Sequence, residues 1–104
     1  MATGVLGQAA PAATTNTVVY TVPAATVGVC TISISNTTLS PIAVRVAIAT
    51  TSTPAASEFI EYDTIIAANG VLERTGVVMN AAENVVVFAS SAGLSVTVSG
   101  YEEI

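Results

Sequence analysis

The clearest alternation of apolar and polar positions in the chain lies between Leu39 and Ala49. Large apolar side chains occupy every second position of this stretch: Ile42, Val44, Val46 and Ile48. The positions between them hold alanines and Arg45. Because side chains of a strand alternate between its faces, one face is Ile/Val and the other is alanine with a single charge. Both faces are apolar enough to be covered, which predicts a central strand with Arg45 marking one directional contact.

The same alternation, together with β-branched residues, predicts six further strands. They are Thr17–Val22, Thr26–Ser35, Glu58–Ile66, Val71–Val78, Asn84–Ser90 and Leu94–Ser99. Within Glu58–Ile66 we expect Ile60 and Tyr62 to face inward, and Phe59, Glu61 and Asp63 to face outward. Residues 100–104, beginning at a glycine, are expected to form a short acidic tail.

Seven strands separated by Asn, Gly, Pro and Ser turns predict an all-β chain that folds as an antiparallel β-sandwich. The sandwich is expected to have about seven to eight strands, in an Ig-like or a jelly-roll-like arrangement. Residues 17–104 form the predicted domain, and residues 1–16, rich in Gly, Ala and Thr, form an extended N-terminal arm. The arm is expected to lie either on a neighbouring molecule or along its own sheet edge, where it would supply an eighth strand.

The composition points to a surface that other proteins cover. The chain of 104 residues has two basic and seven acidic residues, a net charge of −5 and 9% charged residues, against about 25% in ordinary domains. So few charges leave large uncharged areas, which usually mark contacts. Mean hydropathy is +0.74, yet no apolar run approaches the ~20 residues of a membrane-spanning helix. An acidic chain with two arginines is also poorly suited to nucleic acid.

The residues available for chemistry predict a protein that is not an enzyme and holds no metal or cofactor. The chain has no His and no Lys, which removes most acid–base and nucleophilic schemes. Cys30 alternates with isoleucines and is expected in the core. Glu61 and Asp63, two residues apart beside Tyr62, could form a carboxylate pair or a calcium site. We favour a solvated or subunit-contacting surface for them, since no calcium-loop pattern is present.

The two arginines are informative because they are so few. We expect Arg45 and Arg74 each to bind a specific carboxylate through paired hydrogen bonds, the alternative being an ordinary exposed charge. The candidate partners are Glu61, Asp63, Glu73, Glu102 and Glu103. The candidate contact residues between subunits are Val5, Leu6, Arg45, Glu61, Asp63, Arg74 and Tyr101.

Several short motifs, taken in order, resemble those of small virion proteins of tailed bacteriophages. They are Gly4-Val-Leu-Gly-Gln8, Tyr20-Thr-Val-Pro-Ala24, Ser33-Ile-Ser-Asn36, Ala43-Val-Arg-Val-Ala-Ile48, Tyr62-Asp63, Ile66-Ala-Ala-Asn69 and Val98-Ser-Gly100. The resemblance runs over nearly the whole chain. It implies a non-enzymatic structural protein of the virion, assembled in the cytoplasm of the host bacterium.

Within that class we expect a capsid decoration, or cement, protein that stabilises the shell by bridging neighbouring subunits. Its expected partners are copies of itself, as a homotrimer or larger assembly, and the major capsid protein or other virion proteins. A tail, neck or fibre component is the alternative on the same particle. A receptor- or carbohydrate-binding β-sandwich is the alternative from another class, although the chain has no Trp and only five aromatic residues to stack on sugars.

Overall fold

The computed structural model describes residues 2–104, which form eight β-strands and one short 3-10 helix at Ala56–Glu58. The strands are β1 (Thr3–Ala9), β2 (Thr17–Thr21), β3 (Val27–Asn36), β4 (Ile42–Ala49), β5 (Phe59–Ile66), β6 (Val71–Met79), β7 (Asn84–Ala89) and β8 (Leu94–Glu103). Within these residues no helix has the length and apolar character needed to cross a membrane.

The strands form two four-stranded antiparallel sheets, the first in the order β1-β8-β3-β6 and the second in the order β2-β7-β4-β5. Four of the strand pairings are those of one long hairpin folded over into two layers. They join β1 with β8, β2 with β7, β3 with β6 and β4 with β5. This is the eight-stranded jelly-roll arrangement. The predicted antiparallel sandwich is therefore confirmed, and the strand order favours the jelly roll over the Ig-like alternative.

The core lies between the two sheets and is built from alternate residues of their inner faces. The largest side chains less than 2% exposed are Ile32, Ile34, Ile42, Met79, Leu94, Val22, Val44, Val46, Val85, Val87, Val96 and Val98. Cys30 lies in this core, 3% exposed, with its Sγ 3.8 Å from the sulfur of Met79. Burial raises the pKa of the Cys30 thiol, so its predicted role as a core residue is confirmed.

Strand β4 is an inner strand of the second sheet, between β7 and β5. Its Ile/Val face enters the main core, as predicted. On its other face Ala47 and Ala49 are fully buried and form a second small cluster with Val86, against which Phe59 packs. The prediction that both faces are covered is confirmed for the Ile/Val face, whereas the other face is covered by this same chain at Ala47 and Ala49 and stays partly open at Arg45, 31% exposed.

The N-terminal segment supplies the eighth strand by pairing with β8 at the edge of the first sheet. Leu6 packs against the core. The backbone of Gly7 approaches β2 so closely that a Cβ there would lie 2.2 Å from the carbonyl oxygen of Val19. The Ala2 N–H donates to a Glu102 side-chain oxygen at 3.1 Å, and the Glu102 N–H donates to the Ala2 carbonyl at 2.9 Å. Of the two positions considered, residues 3–9 thus lie along their own sheet edge, whereas Met1 is outside the described residues.

The predicted acidic tail is wrong, because β8 continues through Gly100 to Glu103 and pairs with Val27 at the start of β3. Gly100 has φ +150°, and a Cβ on it would lie 2.0 Å from the carbonyl oxygen of Val29. The glycine therefore marks a close approach of two strands, which only a residue without a side chain permits.

The predicted faces of β5 are also wrong in part. Ile60 and Tyr62, expected inside, are 37% and 58% exposed. Glu61, expected outside, pairs with the core residue Val46 and lies between the sheets at their margin. Two register shifts between β4 and β5 cause this inversion, because each additional residue in a strand moves the following side chains to the opposite face.

Candidate functional site: an aromatic pocket around Arg45

A pocket of about 640 Å³ opens on the outer face of the second sheet. Its lining residues come from β4, β5, β7, the loop after β4 and the segment before β2. They are Asn16, Arg45, Pro54, Ala56, Phe59, Tyr62 and Phe88. Three of the five aromatic residues of the chain therefore meet at one of its two arginines.

The pairing of Arg45 with Asp63 fixes the polar part of the pocket. The Nε of Arg45 donates to Oδ1 of Asp63 at 2.7 Å, and a terminal nitrogen donates to Oδ2 at 3.3 Å. The hydrogen bond from Arg45 holds the pKa of the Asp63 carboxyl below its usual range and raises the pKa of the guanidinium. The prediction that Arg45 binds a specific carboxylate is confirmed, with the partner in the same chain.

Aromatic rings hold the guanidinium of Arg45 from two sides. Its central carbon lies 4.3 Å from the ring centre of Tyr62 and 4.8 Å from that of Phe88, both within the range of cation–π attraction. Phe59 meets Tyr62 edge-on, with ring centres 5.0 Å apart and an angle of 84° between the planes. The pocket therefore has two aromatic walls nearly at right angles and an arginine whose position Asp63 fixes.

The second ion pair, between Arg74 and Glu61, joins the two sheets at their open side. Arg74 lies on the edge strand β6 and Glu61 on the edge strand β5. The Glu61 side chain is only 9% exposed, and its other oxygen accepts a 2.6 Å hydrogen bond from the Thr64 hydroxyl. Arg74 therefore also has a specific partner, as predicted.

The carboxylates of Glu61 and Asp63 do not form the pair considered from the sequence. The Glu61 side chain is directed between the sheets. Asp63 and Phe59 lie on the outer face, as predicted for both. Each carboxylate binds a different arginine. Within residues 2–104 no three His, Cys, Asp or Glu side chains come together as a group able to hold a metal ion.

A third polar contact connects the sheets near the chain ends. The hydroxyl of Tyr20, on β2, donates to the Glu102 carboxylate on β8. Burial, and then this hydrogen bond, raise the pKa of the Tyr20 hydroxyl far above its usual value. The same bond lowers the pKa of the Glu102 carboxyl. Glu102 is thus the partner of a tyrosine and not of an arginine.

Most of the charged side chains are occupied by contacts within the chain. Glu58 accepts from the backbone N–H groups of Thr50 and Ala55, and Glu83 accepts from that of Asn80. With the contacts described above, these occupy seven of the nine charged residues. Only Glu73 and Glu103 make no side-chain hydrogen bond or ion pair within residues 2–104, although both had been considered as arginine partners.

The outer face of the first sheet is mostly uncharged. Its central residues, from β3 and β8, are Val29, Thr31, Ser33, Ser35, Ser95, Thr97, Ser99 and Tyr101. Val78, Val29 and Tyr101 form one apolar row across three strands, and Val78 and Tyr101 are 66% and 43% exposed. We call these residues the neutral face.

The contact residues predicted from the sequence thus fall into three separate places. Tyr101 belongs to the neutral face, and Val5, 61% exposed, pairs with Ser99 at its edge. Arg45 and Asp63 lie on the opposite sheet, where Arg45 lines the pocket and Asp63 holds Arg45 from beside it. Glu61 and Arg74 connect the edges of the two sheets, and Leu6 packs onto the core.

Sequence reasoning missed the pocket as a unit. It included Phe88 in the predicted strand Asn84–Ser90 without assigning its face, and in the structure Phe88 lies outside and directly opposite Arg45. The alternation in β7, with Val85 and Val87 inside, was the signal that Phe88 faces outward. Comparisons with protein-family models, with curated proteins and with solved structures found no match for this chain.

Proposed function

We propose that this chain is a repeated structural subunit of a tailed-phage particle, and specifically a capsid decoration protein. The observation that carries the proposal is the neutral face, a broad β-surface of Ser, Thr and Val, together with the engagement of seven of nine charges inside the chain. The phage particle is proposed because the motifs of the chain, taken in order, resemble those of small phage virion proteins.

The neutral face suits contact with identical copies or with shell subunits. Burying a charged group without a partner costs on the order of several kcal/mol, and the residues of the neutral face carry no charge. Two acids lie at its margins: Glu73 on the edge strand β6, opposite Ser33, and Glu103 at the end of β8. A contact centred on this face can therefore leave both acids at its rim.

The proposed mechanism is mechanical. Copies bind across joints between shell subunits and bury the neutral face, which stabilises the shell against the internal pressure of packaged DNA. Three-fold clusters of copies would be held by head-to-tail contacts, which join two different surfaces of each copy and can close into a ring.

In this proposal the N-terminal segment does not connect neighbouring copies, which was one of the two positions considered for it. An arm that adds a strand to a neighbour's sheet gives affinity through main-chain hydrogen bonds. Here residues 3–9 make those bonds with β8 of their own chain. We therefore place the contact on the neutral face, and assign to β1 the completion of the first sheet.

The proposal is tested by placing a charge in the neutral face. Ser99→Lys lies on the central strand β8 between Thr31 and Val5, and Ser52→Lys is the control in the exposed loop after β4. Each purified variant is incubated with shells that lack the chain, and bound protein is measured by sedimentation. We expect Ser99→Lys to weaken binding about ten-fold or more and Ser52→Lys to bind as wild type. Equal binding by folded Ser99→Lys would exclude this face as the contact.

A tail, neck or fibre subunit is the alternative on the same particle. The neutral face serves such a role equally well, since tail and neck rings are also built from repeated copies. The number of copies per particle separates the two roles, because a shell presents far more equivalent joints than a tail or neck ring does.

A further inference from the structure

The pocket around Arg45 has no use in the proposed structural role, since it opens on the sheet opposite the neutral face. We propose that it binds a neutral saccharide of one or two pyranose rings. This activity is separate from the structural role and does not depend on it.

The size of the pocket suits such a ligand. Small-molecule sites usually measure about 300–1,000 Å³ and combine apolar walls with a few convergent polar groups. This pocket has about 640 Å³, and its lining includes three aromatic residues, Arg45 and Asn16. One or two sugar rings fit within that volume.

The charge of the site selects a neutral ligand. Asp63 already occupies Nε and one terminal nitrogen of Arg45, so an anion has to compete with Asp63 for the guanidinium. A cation in turn is repelled by Arg45, the charged residue that lines the pocket. A neutral ligand leaves the pair of Arg45 and Asp63 intact, and Arg45 still offers its remaining N–H donors.

The polar groups also argue against a purely apolar ligand. The side chain of Arg45 is 31% exposed, so it keeps part of its hydration in the pocket. An apolar ligand removes that water without replacing its hydrogen bonds, which is costly. Sugar hydroxyls replace them, since each hydroxyl both donates and accepts.

The aromatic walls complement the other side of a sugar. Ring faces are electron-rich, and the C–H groups on one face of a pyranose are electron-poor, so the two surfaces attract. Phe59 and Tyr62 stand at 84° to one another and form two walls of a corner, and Arg45 already covers one face of Tyr62. A sugar packed in that corner directs its hydroxyl rim toward Arg45 and Asn16.

The side chains of the pocket are preorganised for binding. Tyr62 stacks on Arg45, which Asp63 holds through two hydrogen bonds. Groups already fixed in the bound geometry cost little entropy on binding. Weak to moderate affinity is expected, with a dissociation constant on the order of 1 mM for a single ring.

The test is saturation-transfer NMR with the purified full chain. The probes are methyl glycosides of glucose, galactose, mannose and N-acetylglucosamine, and the disaccharides maltose, cellobiose and lactose. Sialic acid and glucose 6-phosphate are the anionic probes, and a proline-rich peptide is included because aromatic grooves also bind such chains. Binding of at least one neutral saccharide supports the proposal. Binding of only the anions or only the peptide overturns it, as does silence from every probe at about 10 mM.

Matched variants locate the binding. Tyr62→Ala removes a wall of the pocket, and Tyr101→Ala removes an exposed tyrosine of the other sheet. We expect Tyr62→Ala to weaken saccharide binding about ten-fold or more and Tyr101→Ala to leave it unchanged. Equal loss in both variants, or no loss in either, overturns the assignment of the pocket.

If Tyr62→Ala fails to fold, amide shift mapping on the wild-type chain replaces it. Addition of the bound saccharide is expected to shift the amides of Arg45, Tyr62 and Phe88 and their neighbours. Shifts confined to the neutral face would overturn the proposal.

Discussion

Asp63 reaches the guanidinium of Arg45 because β5 places two residues, Tyr62 and Asp63, opposite Arg45 alone on β4. Asp63 takes the left-handed conformation, with φ 54°, which aspartate and asparagine adopt more readily than most residues. Such a bulge redirects side chains. One irregularity in the sheet therefore positions both the ion pair of the pocket and the ring of Tyr62.

The bulge predicts a specific order of stability among variants of Asp63. Asp63→Asn keeps a residue that tolerates the left-handed conformation and removes only the charge. Asp63→Ala removes the charge and also strains the backbone. We expect thermal midpoints to fall in the order wild type, Asp63→Asn, Asp63→Ala, measured by circular dichroism at neutral pH and low salt. An alanine variant as stable as the asparagine variant would show that the bulge imposes no such constraint.

Acid should destabilise the chain through Asp63 and Glu102. Hydrogen bonds from Arg45 and Tyr20 lower the pKa values of these carboxyls from the ordinary values of 3.8 and 4.5. In the unfolded chain they therefore take up protons at a higher pH than in the folded chain. Their stabilising contribution is present above pH 4.5 and is lost as the pH falls through the lowered pKa values.

Urea unfolding between pH 7 and pH 2 measures this effect. Wild type should lose stability across that acid range, and Asp63→Asn should lose less because it lacks one of the titrating carboxyls. Identical pH profiles for the two proteins would mean that the Arg45 pair contributes nothing to the acid sensitivity.

Alkali should act through Tyr20. Burial raises the pKa of its hydroxyl above the ordinary 10.0, so the unfolded chain ionises first. The contribution is fully present below pH 10 and is lost as the pH rises further. Tyr20→Phe should be less stable than wild type at pH 7, because Glu102 loses a donor, but should lose less stability between pH 9 and pH 12. Guanidinium unfolding at both ends of that range is the measurement, and parallel losses would contradict it.

Two glycine variants test the extension of β8. Gly100→Ala puts a Cβ against the carbonyl of Val29 and should cost about 2–4 kcal/mol in the free energy of unfolding. Gly76 also has a positive φ, +67°, but a Cβ there meets nothing within 4 Å. Gly76→Ala should therefore cost only about 1–2 kcal/mol. Equal costs measured by urea unfolding would place Gly100 outside the paired strand.

The parts of the fold that sequence alone predicts are those with unbroken alternation. In β4 the apolar period of two continues from Ile42 to Ile48, and the structure places both faces as expected. In β5 the period fails at two bulges, one at Ile60 and one at Tyr62 and Asp63, because each inserts a residue that alternation does not reveal. The pairing of Arg45 with a carboxylate followed from its scarcity, whereas the choice of Asp63 depended on the second of these bulges.

The pocket was beyond sequence reasoning for a related reason. The three aromatic residues come from the two strands that flank β4 in the second sheet: Phe59 and Tyr62 from β5, and Phe88 from β7. In the chain, β6 separates β5 from β7. Their meeting at Arg45 depends on strand order, which no local pattern encodes. The role of Gly100 could not be predicted from a local pattern either. A glycine in a sequence can end a strand or can permit two strands to approach closely, and the sequence does not distinguish the two.

The most direct test of the central claim is the number of copies of this chain in purified particles. Isotope-labelled standard peptides give that number relative to the major shell protein. A decoration protein predicts a fixed ratio to the major shell protein, on the order of one chain per shell joint, because a symmetric shell repeats equivalent joints. Absence from the particle, or only enough copies for a single ring, would contradict it.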